Sequence, residues 1–263
     1  MSKLRQTLIF VVAVILLLTA VSCGKKKPTE PDDGIPNFKN WFQFESYVQS
    51  FERAMVLGYE KEGDNLLVWV GVDAGPDISL DDTFSLVIND QTVPVEVYDL
   101  FGNVYIIVNN LEGVVLPNSE SLAIKFTHNN VEMVNTSIKL PSIPSLQDLP
   151  EPIDWTEPVT LNWTLTPDKN NRVQAVETDV WYDDDQDFYY EIVNASARKH
   201  TIPANTFLAD GEDYELCIAE YNLKKYGNCI IVAYAEDCIS SDGDWYSRNN
   251  ERIFDRMLKM RHK

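Results

Sequence analysis

The sequence predicts an all-β protein: two tandem antiparallel β-sandwiches followed by a short C-terminal helix. Three observations carry this. Residues 66–140 break into short runs rich in Val, Ile, Leu, Phe and Tyr, separated by turn-forming Asn and Asp. Four prolines interrupt that pattern between Pro141 and Pro152, after which it resumes to about Ser240. A capped amphipathic pattern of helical period closes the chain.

Met1 to Ser22 reads as a secretory signal. Lys3 and Arg5 precede a fourteen-residue run, Leu8–Val21, that is apolar apart from Thr19. A helix needs about 20 apolar residues to cross a ~30 Å hydrocarbon core, so this run is too short for a span. Ala20-Val21-Ser22 then leads into Cys23. Small residues before a cysteine resemble the lipobox of bacterial lipoproteins, with Ala20 where leucine is commoner. That resemblance implies cleavage before Cys23, a diacylglyceryl group on its thiol and a lipid anchor in the cell envelope. An ordinary cleaved signal, releasing the protein, is the alternative. In some lipoproteins an aspartate after the cysteine retains the protein at the inner membrane; Gly24 lacks that signal, which implies the outer membrane. Lysines rather than acids after Cys23 differ from the surface-export pattern of some lineages and favour the periplasmic face.

Residues 23–36 are charged, proline-bearing and aperiodic, a flexible tether. Lys25, Lys26 and Lys27 either touch anionic headgroups, at roughly 1 kcal/mol each, or simply solvate the tether. Beyond them the chain is acidic. Residues 28–240 hold 11 of the 22 Lys and Arg but 37 of the 41 Asp and Glu, a net of −26. Such a surface repels nucleic acid and anionic lipid; it favours cations, basic partners or plain solubility.

The first sandwich is expected over 37–144. Phe42–Val56 is ambiguous between a short helix and a first strand, because Phe44, Tyr47, Val48, Phe51 and Met55 are spaced almost helically. Strands follow at Leu66–Val72, Phe84–Ile88, Val93–Tyr98, Val104–Val108, Ser121–Thr127 and Val131–Leu140, with Asn89-Asp90-Gln91 as a hairpin connection and turns at Asn109-Asn110 and Asn129-Asn130. Six or seven strands in so short a segment argue for a sandwich. The proline-rich stretch reads as a stiff boundary.

The second sandwich is expected over 153–240. Val159–Leu165 alternates, with Val159, Leu161, Trp163 and Leu165 on one face, and strand regions follow at Val173–Tyr182 and Tyr189–Val193. Leu208, Gly211 and Tyr214 then stand in the register of the Leu-x-Pro-Gly-x-x-Tyr pattern, with Asp210 in place of its proline. Here the chain resembles a fibronectin type III domain. The resemblance implies an immunoglobulin-like sandwich, a core role for Trp163 and a Tyr214 hydroxyl bonded back to the backbone at the sandwich corner. It implies nothing about function, since such sandwiches host many.

With Cys23 lipidated, Cys217, Cys229 and Cys238 remain, and an odd number leaves one thiol unpaired. If Tyr214, Leu216 and Ile218 point inward, Cys217 points outward. If Ile230, Val232 and Tyr234 do likewise, Cys229 lies outward beside it. A Cys217–Cys229 disulfide is therefore expected, subject to register, with Cys238 as the other candidate partner.

The basic tail, 241–263, is expected to form a helix from Asn249 or Asn250, with Ile253, Phe254, Met257 and Leu258 as one apolar stripe. Six basic residues face four acidic ones there. Docking on the chain's own acidic sandwich and recognition of another envelope component are both open.

Two clusters invite chemistry. Asp183, Asp185 and Asp187 copy the start of a helical calcium loop, but Phe188 replaces its glycine and Asn194 its glutamate, so a solvated hairpin is the plainer explanation. Trp181, Tyr182, Phe188, Tyr189 and Tyr190 offer rings that could stack on a sugar, although alternation places about half of them in the core, and Trp181, Tyr182, Tyr189 and Tyr190 are the expected ligand platform. Gly-x-Ser-x-Gly, His-Glu-x-x-His and both glycine-rich phosphate loops are missing from the sequence. The expectation is a non-catalytic protein without a cofactor, calcium being the one candidate, that binds a protein partner in the envelope.

Overall fold

The structure is a computed structural model that describes residues 34–62, 65–75, 78–100, 103–108, 121–166, 173–182, 186–208 and 213–241. The signal region, Cys23 and its tether as far as 33, and the tail beyond Ser241 lie outside the described residues.

A short helix, α1 (Trp41–Gln49), comes first. The Asn40 side chain caps it by accepting the Gln43 N–H at 3.0 Å, satisfying one of the orphan donors of its first turn. Trp41, Phe44 and Val48 lie at helical spacing, and the last two are fully buried. The stretch that was ambiguous from sequence is thus helix to Gln49 and strand from Arg53.

The rest is β: β1 (Arg53–Glu62), β2 (Asn65–Asp73), β3 (Phe84–Ile88), β4 (Gln91–Val93), β5 (Glu96–Leu100), β6 (Asn103–Val108), β7 (Ser121–His128), β8 (Val131–Lys139), β9 (Ser145–Leu146), β10 (Val159–Thr164), β11 (Val173–Trp181), β12 (Gln186–Val193), β13 (Lys199–Ile202), β14 (Asp213–Tyr226) and β15 (Cys229–Ser240). Asn89-Asp90 and Asn129-Asn130 turn the β3–β4 and β7–β8 hairpins with φ of +47° and +64°, and +48° and +63°. These positive angles match the right-handed twist of the flanking strands, and asparagine tolerates them. Val93–Tyr98, expected as one strand, is broken at Pro94, which cannot donate to a ladder. β4 stays in a four-stranded sheet while β5 crosses to the edge of another.

Strands from both expected sandwiches lie in one eight-stranded sheet of order β12-β11-β14-β15-β1-β2-β6-β5. The junction is a parallel pairing of β15 with β1, from Arg53 opposite Cys229 to Tyr59 opposite Ala235. All other pairings among the described strands are antiparallel. One face of the long sheet is covered by two smaller sheets, β4-β3-β7-β8 and β13-β10-β9. The first closes a core around Leu57, Val70, Ile106, Leu122, Phe126 and Ile231. The second closes another around Trp155, Leu161, Trp163, Val176, Leu216 and Ile218. On the opposite face α1 packs Phe44 and Val48 against Val56, Ala175, Tyr221 and Val232.

The proline-rich stretch is not a free spacer. Leu140 and Ile143 belong to the first core, Leu146 and Leu149 to the second, and β9 pairs with β10. Leu146 N–H donates to Asp237 Oδ2 at 2.6 Å. Buried polar groups accompany it: the Gln174 amide donates to the Glu220 carboxylate, and Asn222 Nδ2 donates to Lys139 O at 2.7 Å. Their pairing is what makes burial tolerable there.

Trp163 is a core residue, as its resemblance implied. Tyr214 is buried at the start of β14, but its hydroxyl has no hydrogen-bond partner among the described residues. The backbone bond implied for it is absent there.

Candidate functional site

Beyond α1, no described strand lies over the helix-bearing face where β12, β11, β14 and β15 run side by side. Directly paired residues of neighbouring strands share a face, so register defines what this surface carries. Trp181 pairs with Gln186 and Asp213; Asp179 pairs with Phe188 and Glu215, and Glu215 with Ser240. Glu177 pairs with Tyr190 and Cys217, and Cys217 with Cys238. The result is three rings along one margin, Trp181, Phe188 and Tyr190, beside the carboxylates of Asp179, Glu177 and Glu215.

Geometry holds the rings in place. Phe188 and Tyr190 stack at 5.6 Å between centroids with planes 16° apart, and Trp41 of α1 lies 5.2 Å from Tyr190. Tyr190 donates its hydroxyl hydrogen to Asp179 Oδ1 at 2.7 Å. The Tyr221 hydroxyl donates to the buried Glu177 carboxylate, and its ring touches Trp41 and Phe44. Phe188 remains 50% exposed, large for an apolar ring that already has one stacking partner.

Of the four aromatics expected to make a platform, only Trp181 and Tyr190 stand on this face. Tyr182 and Tyr189 pack against the Trp163 core on the other side. The Tyr182 hydroxyl accepts the Leu208 N–H at 3.0 Å. Tyr189 bonds to Glu191 and lies 2.9 Å from His200 Nε2; burial, then Glu191, pushes its hydroxyl well above the usual phenol range. Alternation separates neighbours in sequence, so four consecutive-looking rings cannot share one surface. Phe188, named with them as a stacking ring, stands on this face two residues before Tyr190.

Asp183 and Asp185 lie outside the described residues. Asp187 is exposed in β12, opposite Val180 and so on the face away from Phe188.

The expected Cys217–Cys229 disulfide is corrected: Cys217 bonds to Cys238, with Cα atoms 4.1 Å apart. The two are direct register partners across the β14–β15 hairpin, whereas Cys229 sits beside its turn, opposite Tyr226. Cys229 is buried in the first core, outside the disulfide. The inference failed because β15 is central and buried on both faces, Ile230, Val232 and Tyr234 on one and Cys229, Ile231 and Ala233 on the other. Glu215, Cys217 and Cys238 bring potential metal ligands within 4.8 Å of one another, but the disulfide takes both sulfurs.

A second polar cluster is a loop lock. Asp82 accepts from Asn129 Nδ2 at 2.7 Å and Ser79 N–H at 2.8 Å, with His128 Nε2 at 2.9 Å. Asn129 in turn accepts the Thr83 N–H. These contacts, the Asn129 bond foremost, hold the Asp82 carboxyl down at about 2. Asp237 is shifted the opposite way: burial raises its carboxyl above the usual range, against the Leu146 and Cys238 N–H bonds, with Asp148 adding to the rise.

No protein-family model matches the chain, and no curated protein matches it either.

Proposed function

We propose that this is a lipid-anchored bacterial envelope protein that works by binding rather than catalysis, holding a protein partner on the aromatic–acidic face of its shared sheet. The lipobox-like Ala20-Val21-Ser22-Cys23 supports the anchor, at the outer membrane facing the periplasm. Two fused immunoglobulin-like sandwiches make the scaffold. The second is fibronectin type III-like, a reading supported by a layer of β9, β10 and β13 against one of β11, β12, β14 and β15.

The observation that carries the binding role is Phe188, half exposed beside Trp181 and Tyr190 on a strand at the sheet edge. Aromatic side chains are the usual anchors of protein interfaces, and losing one at the centre costs about 2 kcal/mol or more, roughly thirtyfold in affinity. The test is in-cell cross-linking with mass spectrometry, comparing the full chain with a Trp181→Ala/Phe188→Ala variant of matched melting temperature. Loss of a cross-linked partner from the variant is expected. Recovery of the same partners from both would remove this face from the function.

A second reading, a carbohydrate- or calcium-binding module, is favoured by the Tyr190–Asp179 pair, since a ring beside a carboxylate both stacks on a sugar and accepts its hydroxyls. Absence of any protein partner, with glycan binding lost in the same variant, would select it. A melting temperature indifferent to calcium would remove the calcium version.

A further inference from the structure

Two sulfurs and a carboxylate meet on the helix-bearing face, next to its aromatic margin. Cys217 and Cys238 are direct register partners in β14 and β15, and paired residues of neighbouring strands share a face. Glu215 stands two residues before Cys217, and so on the same face. One ligand atom from each of Glu215, Cys217 and Cys238 lies within 4.8 Å of the other two. Cys229 belongs to the first core, on the opposite face of the sheet, and takes no part.

We propose that reduction of the Cys217–Cys238 disulfide opens a zinc site here, with both thiolates and the Glu215 carboxylate as ligands. Mixed sulfur and oxygen donors suit zinc, which binds thiolate at about 2.3 Å and carboxylate at about 2.0–2.2 Å in a tetrahedral shell. Ligand atoms of such a shell stand about 3.5–3.8 Å apart, so small side-chain rotations bring these three into it. Glu236, two residues before Cys238 on the same face, is placed for the fourth position, which otherwise falls to water. The surrounding charge favours a cation. Glu177 is the register partner of Cys217 and Asp179 that of Glu215; each accepts a tyrosine hydroxyl and adds negative potential without serving as a ligand. The site is also preformed. Twelve register pairs, from Glu215–Ser240 to Tyr226–Cys229, join β14 to β15, with β11 and β1 on either side. Breaking one covalent bond across that ladder leaves the ligands opposite each other, so little ordering entropy opposes the metal.

The reductant is a dithiol. Its thiolate attacks the sulfur of Cys238, which is partly exposed where Cys217 is buried, and expels the Cys217 thiolate. The second thiol resolves the mixed disulfide. The dithiol leaves oxidised to its own disulfide, with two electrons and two protons now on Cys217 and Cys238. Zinc displaces those two protons as it binds. Exchange with an oxidised dithiol runs the sequence backwards and releases the metal. The proposal goes beyond the binding role and stands without it.

The test uses the full chain, reduced with dithiothreitol, desalted without oxygen, and titrated first with cobalt and then with zinc. One cobalt per chain is expected, with sulfur-to-cobalt charge-transfer absorption, release of two protons, and displacement by one equivalent of zinc. Zinc should slow alkylation of Cys217 and Cys238, read by peptide mass. The disulfide form and Cys217→Ser should each bind about a hundredfold more weakly or worse, and Glu215→Gln about tenfold more weakly. Glu215 is partly exposed, so its variant stays folded, which an unchanged melting temperature verifies. A reduced chain without charge-transfer absorption would overturn the proposal. So would equal affinity in the disulfide form, or affinity indifferent to both variants. Loss of β-sheet circular dichroism on reduction would also overturn it, because the ladder is what holds the ligands. Neither a partner nor a sugar is present, so failure here leaves the binding test above intact.

Discussion

Two aspartates carry opposite charge preferences, and each has a consequence for stability. Asp82 is held at about 2, below its ordinary value of 3.8, by hydrogen bonds from Asn129 and Ser79 and by His128. A carboxyl depressed in the folded state contributes stability that is present above about pH 4 and lost as pH falls towards 2. Denaturant midpoints of the parent and Asp82→Asn should therefore differ at pH 6 and converge as pH falls from 4 to 2. A constant difference would mean that Asp82 acts through shape alone. Asp237, raised by burial, must show the reverse sign. Its folded form takes up a proton more readily than the unfolded chain, so stability is lost as pH rises through its raised value. Asp237→Asn keeps an acceptor for Leu146 N–H and should gain on the parent between pH 3 and neutrality. Both side chains look alike in sequence. Asp82 is a polar loop residue, but Asp237 belongs to a strand whose burial depends on residues some ninety positions away, at Leu146.

At the scale of elements, the β1–β15 junction is where the fold is closed. Gly58 lies opposite Tyr234, and a Cβ at Gly58 would come within 2.6 Å of the tyrosine ring. Glycine is needed there for space. Gly58→Ala should destabilise by about 1–3 kcal/mol, the range for overpacking. In a Tyr234→Ala background the same change should cost almost nothing, so the double-mutant cycle isolates the contact. Equal costs in both backgrounds would place the penalty in the strand backbone instead. Elements carried by local signals were legible: β3 and β7 from alternation, the Asn89-Asp90 and Asn129-Asn130 hairpins from turn chemistry. β1 was half missed because Phe42–Val56 holds a helix and a strand start within fifteen residues. β9 was missed because two residues among four prolines carry no period at all. β15 misled because both of its faces are buried, so neither set of alternate residues is marked as outward, and Cys229 was paired wrongly.

For the whole molecule, a sheet shared by both halves predicts one cooperative unfolding transition. Leu122→Ala, in the four-stranded sheet's core, and Leu161→Ala, in the three-stranded sheet's core, should each cost about 2–5 kcal/mol and move the same calorimetric peak. Two peaks, each responding to one variant, would mean that the halves unfold independently. The sequence alone determined the strand-forming runs, the acidic surface and the repetition of a sandwich pattern on either side of the prolines. Those features rest on period, turn residues and charge, which act over a few neighbours. Only the tertiary structure decided that β15 lies parallel to β1, that Cys238 rather than Cys229 partners Cys217, and that Phe188 joins Trp181 and Tyr190 while Tyr182 and Tyr189 turn away. Strand order and register across 176 residues, from Arg53 to Cys229, come from how two faces of one sheet are buried, and no local pattern encodes which distant strand supplies the cover.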